Sequence, residues 1–197
     1  MPIHACFVSI ARLLLVLFVR ASAVGLAPAA AIAAVVDVDV ERHGDAVVIE
    51  AGTRLNADAA TAWRVLTDYD KYGDFIPGVV SSRVVERRGA SVVVEQSDEL
   101  ALWLLRMPVH VTYAIRESPP NLVQSRATAG SLPPLESTYR LTPSGFSVRL
   151  DYIGRVEPGG PLLARIEQGI LRRRVLRQFT ALANEIERRS AVAHRGE

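Results

Sequence analysis

The sequence predicts an α+β domain in which a curved antiparallel sheet of about six or seven strands wraps a long C-terminal helix, with two short helices after the first strand. Three observations lead there. A series of alternating apolar and polar segments follows Val79 with only short turns between them, and parallel strands would need crossovers of a dozen residues or more. Leu162 to Ser190 then runs without proline as a helix of about 29 residues, ~43 Å at 1.5 Å per residue. Between the first strand and this meander, Thr53–Val80 passes from period 2 to period 3.6 and back.

In chain order, Val36, Val38 and Val40 alternate, and His43-Gly44-Asp45 turns a hairpin into the first core strand, Val47–Leu55. Asn56 or Asp58 supplies the side-chain oxygen that caps a short helix carrying Ala59, Ala62, Trp63 and Leu66 on one stripe. A second helical turn or two, holding Tyr69, Tyr72 and Phe75, ends at Pro77-Gly78. Strands at 82–87 and 91–97 flank the turn Arg88-Gly89-Ala90. The apolar run Leu100–Met107 admits two readings, a wide loop or a strand buried on both faces. Val109–Arg116 points Val109, Val111, Tyr113 and Ile115 one way and His110, Thr112, Ala114 and Arg116 the other. Strands at 122–129, 135–142 and 146–156 follow, the last with Phe146, Val148, Leu150 and Tyr152 on one face. In the final helix Leu163, Ile166, Ile170, Leu176, Phe179, Leu182, Ala183 and Ile186 form the inner stripe. Gly169 costs that helix about 1 kcal/mol against Ala, which close approach to a ligand or strand would offset.

Residues 1–34 hold no acidic residue, an apolar run from Leu13 to Val19, and the small-residue stretches Ala21-Ser22-Ala23 and Ala31-Ile32-Ala33. This is the build of a cleaved secretory signal peptide, with an uncleaved membrane anchor as the alternative, and it places the domain outside the cytoplasm, periplasmic or secreted. The remaining chain divides into an N-terminal extension (35–45), a domain (46–190) and a disordered tail (191–197). The leader arginines, Arg12 and Arg20, account for the whole formal charge of +2, so 21 basic and 21 acidic residues remain and nucleic acid is not an expected partner. The only cysteine, Cys6, lies in the leader, which excludes disulfides, thiolate metal sites and a cysteine nucleophile from the mature chain.

The strand, the Ala-rich helix with its Trp63, and the stretch LTDYDKYGDFIPGVVSSRVVER (residues 66–87) together resemble the opening of the START-like, polyketide cyclase and coenzyme Q-binding superfamily, also called SRPBCC, whose fold is the helix-grip. The resemblance spans about residues 46–190. It implies a ligand-binding interior, with Tyr69, Tyr72 and Phe75 at the cavity mouth. For activity it implies little, because lipid carriers, quinone binders and cyclases share the scaffold.

A curved sheet closed by one helix encloses more space than side chains readily fill, and apolar, aromatic-lined cavities bind apolar small molecules. The expected ligand-binding residues are Trp63, Tyr69, Tyr72, Phe75, Trp103, Tyr113, Tyr139 and Tyr152, with Ile166, Gly169 and Ile170 from the helix. Tyr113, Tyr139 and Tyr152 share an inward parity, and a buried phenol needs a hydrogen-bond partner that a quinone carbonyl or an alcohol supplies. Catalytic residues, metal ligands and a cofactor are not expected: His110 points outward, and Glu95, Glu99, Arg116, Arg140 and Asp151 fall mostly on outward positions. Arg172, Arg173, Arg174 and Arg177 form either a solvated helix face or a transient contact with an anionic membrane surface. The leading function is binding, and possibly carrying, a lipid, quinone or polyketide-like ring. The alternatives are a cyclase or dehydratase and a protein-interaction module with a filled interior.

Overall fold

The computed structural model describes residues 35–102, 105–131, 133–157 and 168–195, with side chains at 100–102 and 105 excepted. The predicted leader, Trp103 and Ile166 lie outside the described residues. Eight strands, rather than six or seven, form one antiparallel sheet: β1 (Asp37–His43), β2 (Ala46–Leu55), β3 (Val79–Arg88), β4 (Ser91–Leu102), β5 (Leu105–Ser118), β6 (Leu122–Gly130), β7 (Leu135–Ser144) and β8 (Ser147–Val156), in the order β1-β2-β8-β7-β6-β5-β4-β3. The additional strand is β1, and the ambiguous run after Ser97 lengthens two expected strands without adding another. Residues 37–43 pair with β2 along their whole length, from Asp37 opposite Gly52 to His43 opposite Ala46. The run Leu100–Met107 is neither a loop nor one strand but the ends of two, with Leu100 opposite Met107 and Leu102 opposite Leu105. No Gly, Asn, Asp or Pro marks that reversal in the sequence, so the turn gave no local signal.

Alternation sorts the strands into an inner apolar face and an outer charged one. On β5, Val109, Val111 and Ile115 are buried while His110, Ala114 and Arg116 are exposed. Register shifts at Val79/Ser81 and Val84/Glu86 on β3 and at Thr112/Tyr113 between β5 and β6 interrupt the ladder, and such irregularities increase a sheet's local twist and bend. Phe146 departs from the expected alternation. It belongs to the β7–β8 turn, not to β8, and is fully exposed.

β2 and β3 lie on opposite sides of the sheet order, and the chain crosses between them through α1 (Ala59–Leu66), a 3-10 turn (Tyr69–Lys71) and α2 (Tyr72–Phe75). Of the two candidate caps it is Asp58 that acts, its Oδ1 accepting the Thr61 N–H at 2.7 Å. Asp70 Oδ1 accepts the Val84 N–H at 2.7 Å and ties the 3-10 turn to the bulged part of β3.

The last helix, α3 (Gln168–Ala193), extends three residues past the expected end at Ser190. Its buried residues all lie from Phe179 onward: Phe179, Leu182, Ala183, Ile186 and Ser190. Full burial of one such Leu, Ile or Phe side chain stabilises by about 1.5–3 kcal/mol, so this stretch fixes the helix on the sheet. Ion pairs fasten the same end, Arg189 reaching Asp68 at 2.7 Å and Glu185 at 2.7 Å, while Glu187 accepts the Asn56 N–H at 3.0 Å. Among the described residues, no helix is long and apolar enough to cross a membrane.

Candidate functional site

Between the N-terminal half of α3 and the sheet lies a cavity of about 270 Å³, spanned by Arg172 and Arg174, which donate to strand residues. Its wall is mainly aliphatic, with Val47, Ile49, Val94, Val109 and Ile115 from the sheet and Leu171, Val175 and Leu182 from the helix. All five tyrosines of the chain line it: Tyr69, Tyr72, Tyr113, Tyr139 and Tyr152. Among the described residues, no side chain fills this space.

The tyrosines divide by what their hydroxyls do. Tyr72 donates to the Leu66 carbonyl at 2.6 Å and packs edge-on against Tyr69 and Phe75, with centroids 5.7 Å apart in each case. Tyr69, expected at a mouth, is instead 3% exposed; its hydroxyl and Oε1 of buried Glu117 have no hydrogen-bond partner among the described residues. Burial, followed by the Glu117 charge, pushes the Tyr69 phenol up. The Tyr139 and Tyr152 rings meet at an interplanar angle of 48°, and Tyr152 lies 6.5 Å from Phe179 on α3, centroid to centroid. Burial raises both, Tyr152 to about 12, with Ser137 drawing it back. Tyr113 is raised by burial and then by the nearby Asp98 charge.

One end of the wall is polar, and alternation alone did not single it out. Gln96 and Asp98 share the inward parity of Val92 and Val94 on β4, yet polar side chains on a strand are read as solvent-facing by default. Asp98 is 7% exposed and pairs with Arg174 of α3, Nη2 to Oδ2 at 3.0 Å, while Gln96 Nε2 donates to its Oδ1 at 2.8 Å. Burial lifts the Asp98 carboxyl above its ordinary value, and Gln96 and Arg174 act against that rise. Arg174 Nη1 also donates to the Glu99 carbonyl at 3.1 Å.

Other expected site residues fall elsewhere. Trp63 and Phe75 are half-buried against the core without lining the cavity, Phe75 beneath the Arg189 guanidinium, whose Cζ is 5.8 Å from the ring centroid. Gly169 is exposed, and a Cβ there would meet only Arg173 Nη1, at 3.7 Å, so no close approach explains it. Ile170 is half-buried but off the wall, because the inward stripe runs 168, 171, 174, 175, 178, 182. Three of those positions are Gln168, Arg174 and Gln178, so an apolar count rotated the face toward Ile170. The four arginines do not make one outward surface: Arg174 turns inward, while Arg172, which donates to the Val38 carbonyl at 2.9 Å, Arg173 and Arg177 are exposed. Outer His110 bonds Ser97, Nδ1 to Oγ at 2.9 Å. Among the described residues, no cluster of His, Cys, Asp and Glu could hold a metal ion.

The family model described as polyketide cyclase / dehydrase and lipid transport matches residues 55–183. The chain belongs to this family. A search of curated proteins finds no match. Among solved structures, a START superfamily protein from Mycobacterium smegmatis superposes with a TM-score of 0.58 at 15% identity, covering 74% of this chain and 98% of that one. The Zhui aromatase/cyclase from Streptomyces sp. R1128 does so at 0.61 and 16%, covering 74% and 94%. A STAR-related lipid transfer protein from Xanthomonas axonopodis gives 0.58 and 15%, covering 79% and 94%. At these identities the likeness is one of fold, the START-like helix-grip.

Proposed function

We propose that this polyketide cyclase/lipid transport family domain binds an apolar small molecule in the space between the sheet and the N-terminal half of α3, and that it does so outside the cytoplasm. The observation that carries the reading is the cavity itself: an unfilled interior whose wall is aliphatic, with five phenols and one charge-matched pole. Burial of the guest's apolar surface supplies the affinity, at about 25 cal/mol per Å², and the phenols orient its polar group. Export rests on the composition of residues 1–34 alone. Any membrane contact would use the exposed arginines Arg172, Arg173 and Arg177 and not Arg174.

The test is solvent extraction and mass spectrometry of the protein purified from its own host. A stoichiometric apolar compound is expected; repeated recovery of nothing would remove the binder reading.

A cyclase or dehydratase remains the second reading, favoured by one observation: Asp98 is a buried carboxyl, raised by burial, on the same wall as Tyr113. A carboxyl whose pKa is raised can hold and donate a proton nearer neutrality. Turnover of a poly-β-ketone analogue that is lost in Asp98→Asn would support it, whereas binding without turnover keeps the carrier reading.

A further inference from the structure

Arg42 is the charged group on the cavity wall that its neighbours leave over. On β1, Val38 and Val40 are buried, and Arg42 continues their inward parity at the end of the strand. It begins a row across the sheet: Arg42 is opposite Val47, Val47 opposite Val156 and Val156 opposite Leu135, and all four line the cavity. Arg42 is exposed, so this row is a rim within reach of water.

The carboxylates that flank the row in sequence are taken up elsewhere. Glu41 bonds His43 at 3.0 Å, Glu157 pairs with Arg155 at 2.9 Å, and Glu136 pairs with Arg126. Further along the interior, Asp98 is held by Arg174 and Gln96, and Glu117, beside Tyr69, pairs with Arg87 at 2.9 Å. Among the described residues Arg42 has no such partner. The other charged groups on the wall are Asp98 and Arg174, which match one another, so Arg42 is its surplus positive charge.

From the rim, β2 leads inward through Ile49 to Ala51, whose register partner is Tyr152, itself opposite Tyr139. At the rise of a strand, Val47 and Ala51 are roughly 13 Å apart, similar to the length of a decyl chain. An apolar body lying along this line leaves one end at Arg42. A charged head is costly to take out of water but not to leave at an edge, where a guanidinium forks onto a carboxylate or phosphate. A cationic head would meet a like charge there, and an uncharged head would gain no ion pair.

We propose that the guest is an acidic amphiphile, with its apolar body along the wall toward Tyr139 and Tyr152 and its carboxylate or phosphate on Arg42 at the rim. This rests on the binding reading above and names its substrate class.

Calorimetric titration of the whole protein with decanoate, decyl phosphate, decanol and decyltrimethylammonium, each below its micelle concentration, tests it. The wild type should bind an acid at least about threefold more tightly than decanol and the ammonium most weakly, and added salt should narrow the gap because Arg42 faces water. Arg42→Gln should bring the acids down to the affinity of decanol and leave decanol as it was. Arg42→Lys, which keeps the charge, should restore most of the preference. Arg173→Gln removes an exposed charge that is not on the wall and should keep the wild-type ratios. The acid that loses more in Arg42→Gln identifies the head group as carboxylate or phosphate. Decanol bound by the wild type as tightly as both acids, a preference that survives Arg42→Gln, or one that falls equally in Arg173→Gln overturns the proposal. If none of the four binds, the broader binding reading fails with it, whereas decanol bound without any preference for the acids sinks this proposal alone.

Discussion

Tyr139 on β7 and Tyr152 on β8 are register partners in the sheet, and their rings meet on the cavity wall with centroids 4.7 Å apart. Among the described residues neither hydroxyl donates to a backbone carbonyl as Tyr72's does, and Tyr113 stands on the same wall. Replacing Tyr113, Tyr139 or Tyr152 by Phe removes one hydrogen-bonding group and keeps the ring. Each change should weaken guest binding by about 1 kcal/mol, roughly fivefold, with little change in thermal stability. Calorimetry on the three variants decides; unaltered affinity in all of them would take the phenols out of the site.

Gly154 makes the position of Tyr152 available. A Cβ at residue 154 would overlap the Tyr152 hydroxyl and lie 2.9 Å from its Cζ, so the ring rests where any other side chain would stand. Gly154→Ala should swing the Tyr152 phenol away from β8 and into the cavity. The expected result is a loss of guest affinity larger than that of Tyr152→Phe, and an unchanged affinity would show that the phenol moves at no cost to the site.

Alkaline titration should report the shared burial of the tyrosines. All five are raised above the ordinary 10.0, chiefly by burial. A raised phenol loses its proton less readily folded than unfolded, so its contribution to stability is intact below about 10 and is lost as pH climbs above it. Absorbance of tyrosinate should therefore stay flat past 10 and then rise together with unfolding. Five independent transitions near 10 in folded protein would contradict the buried cluster.

In acid the two carboxyls tied to α3 should act with opposite sign. Hydrogen bonding from Arg188 first, with Arg189 adding, holds Glu185 below its ordinary 4.5 against the cost of burial, so its contribution is present above that value and declines as pH falls below it. Asp98 is raised by burial above its ordinary 3.8, so stability falls as pH rises through the interval just above 3.8. Denaturant midpoints measured across this range should gain upward slope with pH in Asp98→Asn and lose it in Glu185→Gln. Parallel curves for both variants and the wild type would refute the assignment.

The parts of the fold that were legible in the sequence are those where one period rules. The strands at Val109–Arg116 and Leu122–Ala129, the turn at Gly89 and the cap before α1 all follow local rules. The reversal after Leu102 was not legible, because its pairing is set by strands already in place and not by a turn residue. In the site, Tyr113, Tyr139 and Tyr152 were found by parity, since an aromatic on an apolar face has one place to go. Asp98, Gln96 and Arg174 were passed over for the opposite reason: a charge is assigned to solvent until a partner is seen, and theirs lies 76 residues away on another element. Gly169 and Ile170 show the same limit on the helix, where three inward polar residues, Gln168, Arg174 and Gln178, shift the true face by one position.

The most direct test of the account is the native mass of the folded protein, compared with that of a variant whose cavity is plugged. Val175 lines the wall from α3, and Val175→Trp fills the space while keeping the apolar surface. Wild-type protein from its own host should carry the extra mass of one apolar small molecule, released on denaturation, and the Trp variant should fly bare. A bare wild type, or the same added mass on both proteins, would contradict an interior built to hold a guest.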